Sequence, residues 1–210
     1  MDIMSKNIIF DWSGVIKDAL ECHLWIVNEI FKELGIKEIS GEELHENWEQ
    51  PHMLFYNKYL PDLTEEEELV LYKKAILSND CPESKPADGI CDLIKKLKER
   101  GYFLGVISSD FPETLLGEIE EYGLEDIFDD VKTESAIKGD SLKEMIEKHN
   151  LNPENTYFIG DSNHEIIAGK ENGTKTIAVT WGFNTEEYLK SKDPDYLVHN
   201  IKELENILLN

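Results

Sequence analysis

Five short apolar runs, set between helical patterns that close on glycine, constrain this chain most. The runs are NIIFD (Asn7–Asp11), YFLGVIS (Tyr102–Ser108), TYFIG (Thr156–Gly160), KTIAVT (Lys175–Thr180) and DYLV (Asp195–Val198). They are apolar nearly throughout rather than alternating, the pattern of parallel strands covered on both faces. Between them, ADGICDLIKKLKERG places Ile90, Leu93, Ile94 and Leu97 on one helical face and stops at Gly101. SLKEMIEKH does the same with Leu142, Met145, Ile146 and His149, and Ser141 with Glu144 has capping-box spacing. EIIAGKENG closes at Gly173. This alternation predicts an α/β fold, a Rossmann-like doubly wound parallel sheet.

The stretch from about Ile16 to Glu83 breaks the alternation and shows no convincing strand. Leu20, Leu24, Val27, Ile30, Phe31 and Leu34 form a helical stripe, and a second helix is predicted from near Pro51. A third follows Thr64 as N-cap, with Glu67 at the capping-box position. The run Glu65–Glu68 is expected to be an acidic first turn facing solvent. A helical insertion therefore follows the first strand, and the sheet is expected to resume near Pro86.

Composition narrows the partners. The 210 residues allow one domain of ordinary size plus a modest insertion. With 44 acidic against 21 basic residues the net charge is −23, which argues against nucleic acid and against an anionic membrane surface. An anionic substrate would need a local positive site. Cys22, Cys81 and Cys91 are scattered and form no CxxC pair, which argues against a disulfide framework and a zinc site. MDIMSKN holds no apolar signal core, and no apolar run is long enough to span a bilayer. A cytoplasmic monomer or homodimer is expected.

In an open parallel sheet, ligands bind beyond the carboxyl ends of the strands. Those ends carry Asp11, then Ser108, Ser109 and Asp110, then Asp161 with Glu165 four residues on. Lys138 stands just before a helix and is placed to reach the same edge. This is one carboxylate to attack, a hydroxyl and an ammonium to hold an anion, and two more acids for a hard cation. Mg²⁺ suits such oxygens, and a carboxylate attacking phosphorus needs that help because two anions must approach.

FDWSGV, Ser108 of VISS, Lys138 and IGDSNHE together resemble, in order and spacing, the four motifs of the haloacid dehalogenase (HAD) superfamily. The resemblance runs from Asn7 to the closing DYLVHNIKELENIL and is nearest the phosphoglycolate phosphatase and phosphoglucomutase-like branch. It implies a catalytic core of residues 1–15 and 84–210 with a helical cap at 16–83. It implies that Asp11 forms an aspartyl-phosphate. Asp11, the backbone carbonyl of Ser13 and Asp161 would hold Mg²⁺, with Glu165 supporting the metal through water. Ser108, Ser109 and Lys138 would hold the phosphoryl oxygens, and His23 would lie at the cap hinge. His52 and Tyr56, at i and i+4, share a helical face and would select substrate if that face looks onto Asp11.

Ser13 departs from the pattern, since family phosphatases carry an aspartate there that protonates the leaving oxygen and activates water. Losing such a group costs on the order of 10²–10⁴-fold in rate. Three readings follow. The favoured one is a Mg²⁺-dependent phosphatase of a small phosphorylated metabolite, with His23, His52 or Lys17 as a borrowed donor. The second is a C–P hydrolase, since the first motif is also similar to that of phosphonoacetaldehyde hydrolase. It would need an imine-forming lysine such as Lys37, Lys58, Lys73 or Lys74. The third is a regulatory or interaction protein that binds phosphate and Mg²⁺ with little turnover. Dehalogenase chemistry does not need the metal-binding acids present here.

Overall fold

The computed structural model describes residues 6–210, so most of the opening MDIMSKN stretch lies outside the described residues. The chain runs β1 (Asn7–Phe10), β2 (Lys17–Asp18), α1 (Leu20–Glu33), α2 (Gly41–Asn47), α3 (Met53–Tyr59), α4 (Glu65–Ile76) and β3 (Lys85–Pro86). It continues α5 (Ile90–Glu99), β4 (Phe103–Ile107), α6 (Pro112–Glu121), β5 (Asp130–Lys132), α7 (Lys138–His149), β6 (Thr156–Gly160) and α8 (Asn163–Glu171). It closes with β7 (Lys175–Val179), α9 (Glu186–Ser191), β8 (Tyr196–Val198) and α10 (Ile201–Leu209).

Six parallel strands form one sheet in the order β5-β4-β1-β6-β7-β8, confirming the Rossmann-like α/β architecture. The chain order reverses at β1, between β4 and β6, which is where a doubly wound sheet opens a crevice for ligands. β1 is apolar throughout because it is covered on both faces. Ile8 and Phe10 pack in a cluster with Ile94 and Leu97 of α5, while Ile9 packs with Leu142 and Met145 of α7 on the other side. β5 was not predicted: Asp-Val-Lys is three residues long and half-buried, too short to show a pattern.

The insertion has its own core. Ile26, Val27, Ile30 and Phe31 of α1 meet Leu44, Trp48, Phe55 and Tyr56. The chain crosses into and out of it through β2 and β3, which pair antiparallel as a separate two-stranded ribbon (Lys17 with Pro86, Asp18 with Lys85). The expected resumption of the sheet near Pro86 is therefore this ribbon, and the main sheet resumes at Phe103. Phe183, after β7, joins the insertion's cluster, and Asn184 Nδ2 donates to the Trp48 carbonyl (3.0 Å).

Helix ends follow local chemistry. Thr64 and Glu67 form the predicted capping box of α4. Ser141 and Glu144 do not cap: α7 begins at Lys138, a turn earlier. Ser141 Oγ instead donates to Ser135 Oγ (2.9 Å), and Glu144 pairs with Lys132 (2.9 Å). Among the described residues no helix is long and apolar enough to cross a membrane.

The loop after β1 is held by Trp12. Its carbonyl accepts from the N–H groups of Val15, Ile16 and Lys17 (3.2, 2.9 and 2.9 Å). Its fully buried indole stacks on Tyr122 (5.7 Å between ring centres) and donates from Nε1 to Glu118 (2.6 Å). Trp12→Ala is expected to lower the unfolding free energy by about 3–5 kcal/mol, measured by chemical denaturation. A loss below about 1 kcal/mol would show that the loop does not lean on this ring.

Candidate active site

The parallel register sets the site. Phe10 lies level with Val106 and Ile159, and the Asp11 N–H donates to the Ile159 carbonyl (2.9 Å). The polar residues after β1, β4 and β6 therefore emerge together at one edge. Asp11 sits at the middle of it, 5 % exposed, and its Oδ1 accepts from the Trp12 N–H (2.7 Å).

Lys138, the first residue of α7, reaches this edge. Its Nζ lies 2.6 Å from Asp11 Oδ2 and 2.5 Å from Glu165 Oε1, and all three side chains are buried. Oxygens of Asp11, Asp161 and Glu165 lie within 4.8 Å of one another. Three buried acids thus face one ammonium. Burial pushes Asp11 well above the usual carboxylate range, with Glu165 and Asp161 adding to the shift against the opposing pull of Lys138. Burial first, and then Glu165, raise Asp161 to about 7. Burial also works against the charged form of Glu165, but Lys138 outweighs it and holds Glu165 below its ordinary value. Burial would lower Lys138, yet Asp11 and Glu165 raise it.

Glycines make room for these acids. A Cβ on Gly14 would fall 2.2 Å from Asp161 Oδ2, and one on Gly182 would fall 2.1 Å from it. Gly14 also has φ +86°, the left-handed region that favours glycine. A Cβ on Gly160 would strike the Glu165 side chain at 2.1 Å. Asp161 Oδ2 accepts from the Phe183 N–H (2.6 Å), and Glu165 Oε2 accepts from the N–H and hydroxyl of Ser162 (3.0 and 2.7 Å). Gly182 and Phe183 were not singled out in the sequence, because nothing local marks a loop twenty residues on as the wall of Asp161.

Ser13 is not alone. Its hydroxyl donates to Asp110 Oδ2 (2.7 Å), and so does that of Ser108 (3.1 Å). The end of β4 thus brings a carboxylate to the residue two after Asp11. Ser108 is buried (1 % exposed), and Ser109 is exposed to the cavity above the site.

That cavity, about 370 Å³, lies between the sheet edge and the insertion and is lined by Asp11, Ser13, Asp110, Lys138 and Asp161 below. His23, His52, Tyr56, Glu68 and Tyr72 line it above. The face shared by His52 and Tyr56 therefore looks into the cavity that Asp11 lines. The expectation that Glu65–Glu68 all face solvent fails at Glu68, which is 4 % exposed and sits 3.4 Å from His52 Nε2. The Glu68 contact raises His52 against the effect of burial. Burial lowers His23 to about 3, with the charges of His52 and Lys17 adding to it. His23 is therefore a neutral ring near neutral pH and a poor proton donor. Lys17 lines the cavity but is held by Glu118 (2.6 Å). Lys37, Lys58, Lys73 and Lys74 do not line the cavity, and Lys58 and Lys74 pair with Glu49 and Glu33.

A family profile described as haloacid dehalogenase-like hydrolase matches residues 8–179. The phosphoglycolate phosphatase of Aquifex aeolicus is 26 % identical over 210 residues, covering 98 % of this chain and 97 % of that one. Pyrophosphatase PpaX of Oceanobacillus iheyensis is 24 % identical, covering 97 % and 96 %. A solved structure, described as a predicted phosphatase from Clostridium acetobutylicum, superposes with a TM-score of 0.83 at 24 % identity and covers 98 % of both chains. A buried aspartate at the switch point of a parallel sheet, beside a lysine and two further acids, agrees with these likenesses. The chain belongs to the haloacid dehalogenase-like hydrolase family.

The Asp161 cradle gives a structural test. Gly182→Ala is expected to push the carboxylate off the Phe183 N–H and to cost about 1–3 kcal/mol of stability, read from denaturant midpoints. An unchanged midpoint would mean that the loop yields freely.

Proposed function

We propose that this chain is a Mg²⁺-dependent phosphatase of a small phosphorylated metabolite, acting through an aspartyl-phosphate on Asp11. The observation that carries the reading is the buried constellation of Asp11, Lys138, Asp161 and Glu165 at the sheet's switch point. The donor set fits the metal. Three carboxylates with one ammonium leave excess negative charge away from water, and hard oxygens suit Mg²⁺. Asp11, the Ser13 carbonyl and Asp161 would hold it. Glu165, both of whose oxygens already serve Lys138 and Ser162, would act through water. When bound, the ion supplies charge neutralisation between nucleophile and phosphoryl group.

In this reading an Asp11 oxygen attacks phosphorus, the ester P–O bond breaks, and the leaving oxygen takes a proton from water in the open cavity. Water then attacks phosphorus, and the Asp11–phosphorus bond breaks to release phosphate. Lys138 and Ser108 hold the phosphoryl oxygens, with Ser109 beside them. For the water step, Ser13 takes a proton on its oxygen while passing its own to Asp110. The carboxylate expected at position 13 is thereby supplied from the end of β4. Residues 16–83 act as a cap over residues 1–15 and 84–210, and His52, held by Glu68, recognises the leaving group. The cavity of about 370 Å³ favours a small one. The C–P hydrolase reading is disfavoured, because the four candidate imine lysines lie off the cavity.

Turnover of aryl or acyl phosphates is expected with Mg²⁺, and Asp11→Asn or excess EDTA is expected to abolish it. Activity surviving either change would refute the nucleophile or the metal. Asp110→Asn is expected to slow turnover about 10²-fold in the native background but by less than about threefold in Ser13→Asp. Equal losses in both backgrounds would remove Asp110 from the proton path.

A further inference from the structure

Cys22 and Cys81 are 59 residues apart in sequence, yet their sulfurs lie 3.2 Å apart. Cys22 is in the first turn of α1, four residues beyond β2, and Cys81 lies four residues before β3. The two thiols therefore flank the paired crossings through which the chain enters and leaves the helical insertion. Both are half-buried against the insertion's core, and Cys22 also lines the cavity, which opens to solvent. Cys91, on α5, packs against the main sheet cluster instead. A separation of 3.2 Å exceeds the roughly 2.05 Å of a bonded pair, so the bond requires the two sulfurs to close by a further ~1 Å.

The geometry points to Cys22 and Cys81 as a reversible thiol–disulfide site that staples the two crossings of the insertion, with a small-molecule disulfide as oxidant. The first bond forms when the Cys22 thiolate attacks one sulfur of the external disulfide and expels the other as thiolate. Cys81, losing its proton, then attacks the Cys22 sulfur and expels the second small thiolate. Two protein thiols are oxidised, one external disulfide is reduced to two thiols, and the two protein protons pass to the leaving sulfurs. Cys22 takes the first step because it is reached through the cavity. Burial, and then the contact with Cys22, hold the Cys81 thiol up at about 12, so Cys81 is the slower and second partner. The bond would enclose α2–α4 and nearly all of α1 in one covalent loop, and long loops gain the most from closure. This inference stands on the thiol geometry and does not depend on the phosphatase reading.

The test uses the reduced full-length protein incubated with excess oxidised glutathione, then non-reducing peptide mass spectrometry and thermal melting. The expected result is a Cys22–Cys81 cross-linked peptide, Cys91 still free, and a melting temperature higher by roughly 5–10 °C, reversed by dithiothreitol. Cys91→Ser should behave identically. Cys81→Ser should end with glutathione retained on Cys22 and no rise. Glutathione retained on Cys22 of the unsubstituted protein would overturn the proposal. So would both thiols remaining free in the folded chain while the denatured chain reacts.

Discussion

The ammonium of Lys138 held between Asp11 and Glu165 is the interaction on which the rest of the site depends. It is buried, and it stands at the first residue of α7, the positive end of the helix dipole, where a cation is disfavoured. Two carboxylates at 2.6 and 2.5 Å offset both costs. The dependence is mutual. Without the lysine, three buried acids would face one another uncompensated, and such groups protonate rather than remain charged. Even with it, Asp11 and Asp161 are raised. The site is therefore short of positive charge, and in the proposed reading a cation supplies it and, with Lys138, receives the anionic substrate. In a chain of net charge −23, binding an anion calls for a local positive site such as this one.

The fold exists around this arrangement. Parallel register brings β1, β4 and β6 to one edge, and three glycines remove the side chains that would collide with Asp161 and Glu165. Trp12 fixes the loop that turns away from Asp11. The insertion then covers the edge with His23, His52, Tyr56 and Glu68, docked through Phe183 and Asn184 from the same loop that holds Asp161. One short segment thus links the acid site to its cover.

Much of this was legible in the sequence, where the signal was local. Continuous apolar runs marked β1, β4, β6, β7 and β8, and the acids and hydroxyls at their ends named Asp11, Ser108, Asp161 and Glu165. What failed was non-local or too short. β5 has three residues and no periodicity. Ser141 with Glu144 had capping spacing, but the helix starts at Lys138 and Ser141 bonds Ser135 instead. Glu68 looked like part of a solvated acidic run, yet the turn of α4 aims it at His52. Asp110 was seen at its strand end, but its bond to Ser13 crosses 97 residues. The approach of Cys22 to Cys81 is invisible for the same reason.

The central claim is that Asp11 becomes covalently phosphorylated. The direct measurement is borohydride reduction of the protein quenched during turnover of a phosphate ester with Mg²⁺, followed by peptide mass spectrometry. An acyl phosphate on Asp11 is reduced to homoserine at position 11, which is the result the account predicts. Steady turnover with Asp11 recovered unchanged, or homoserine formed at another acid, would contradict it.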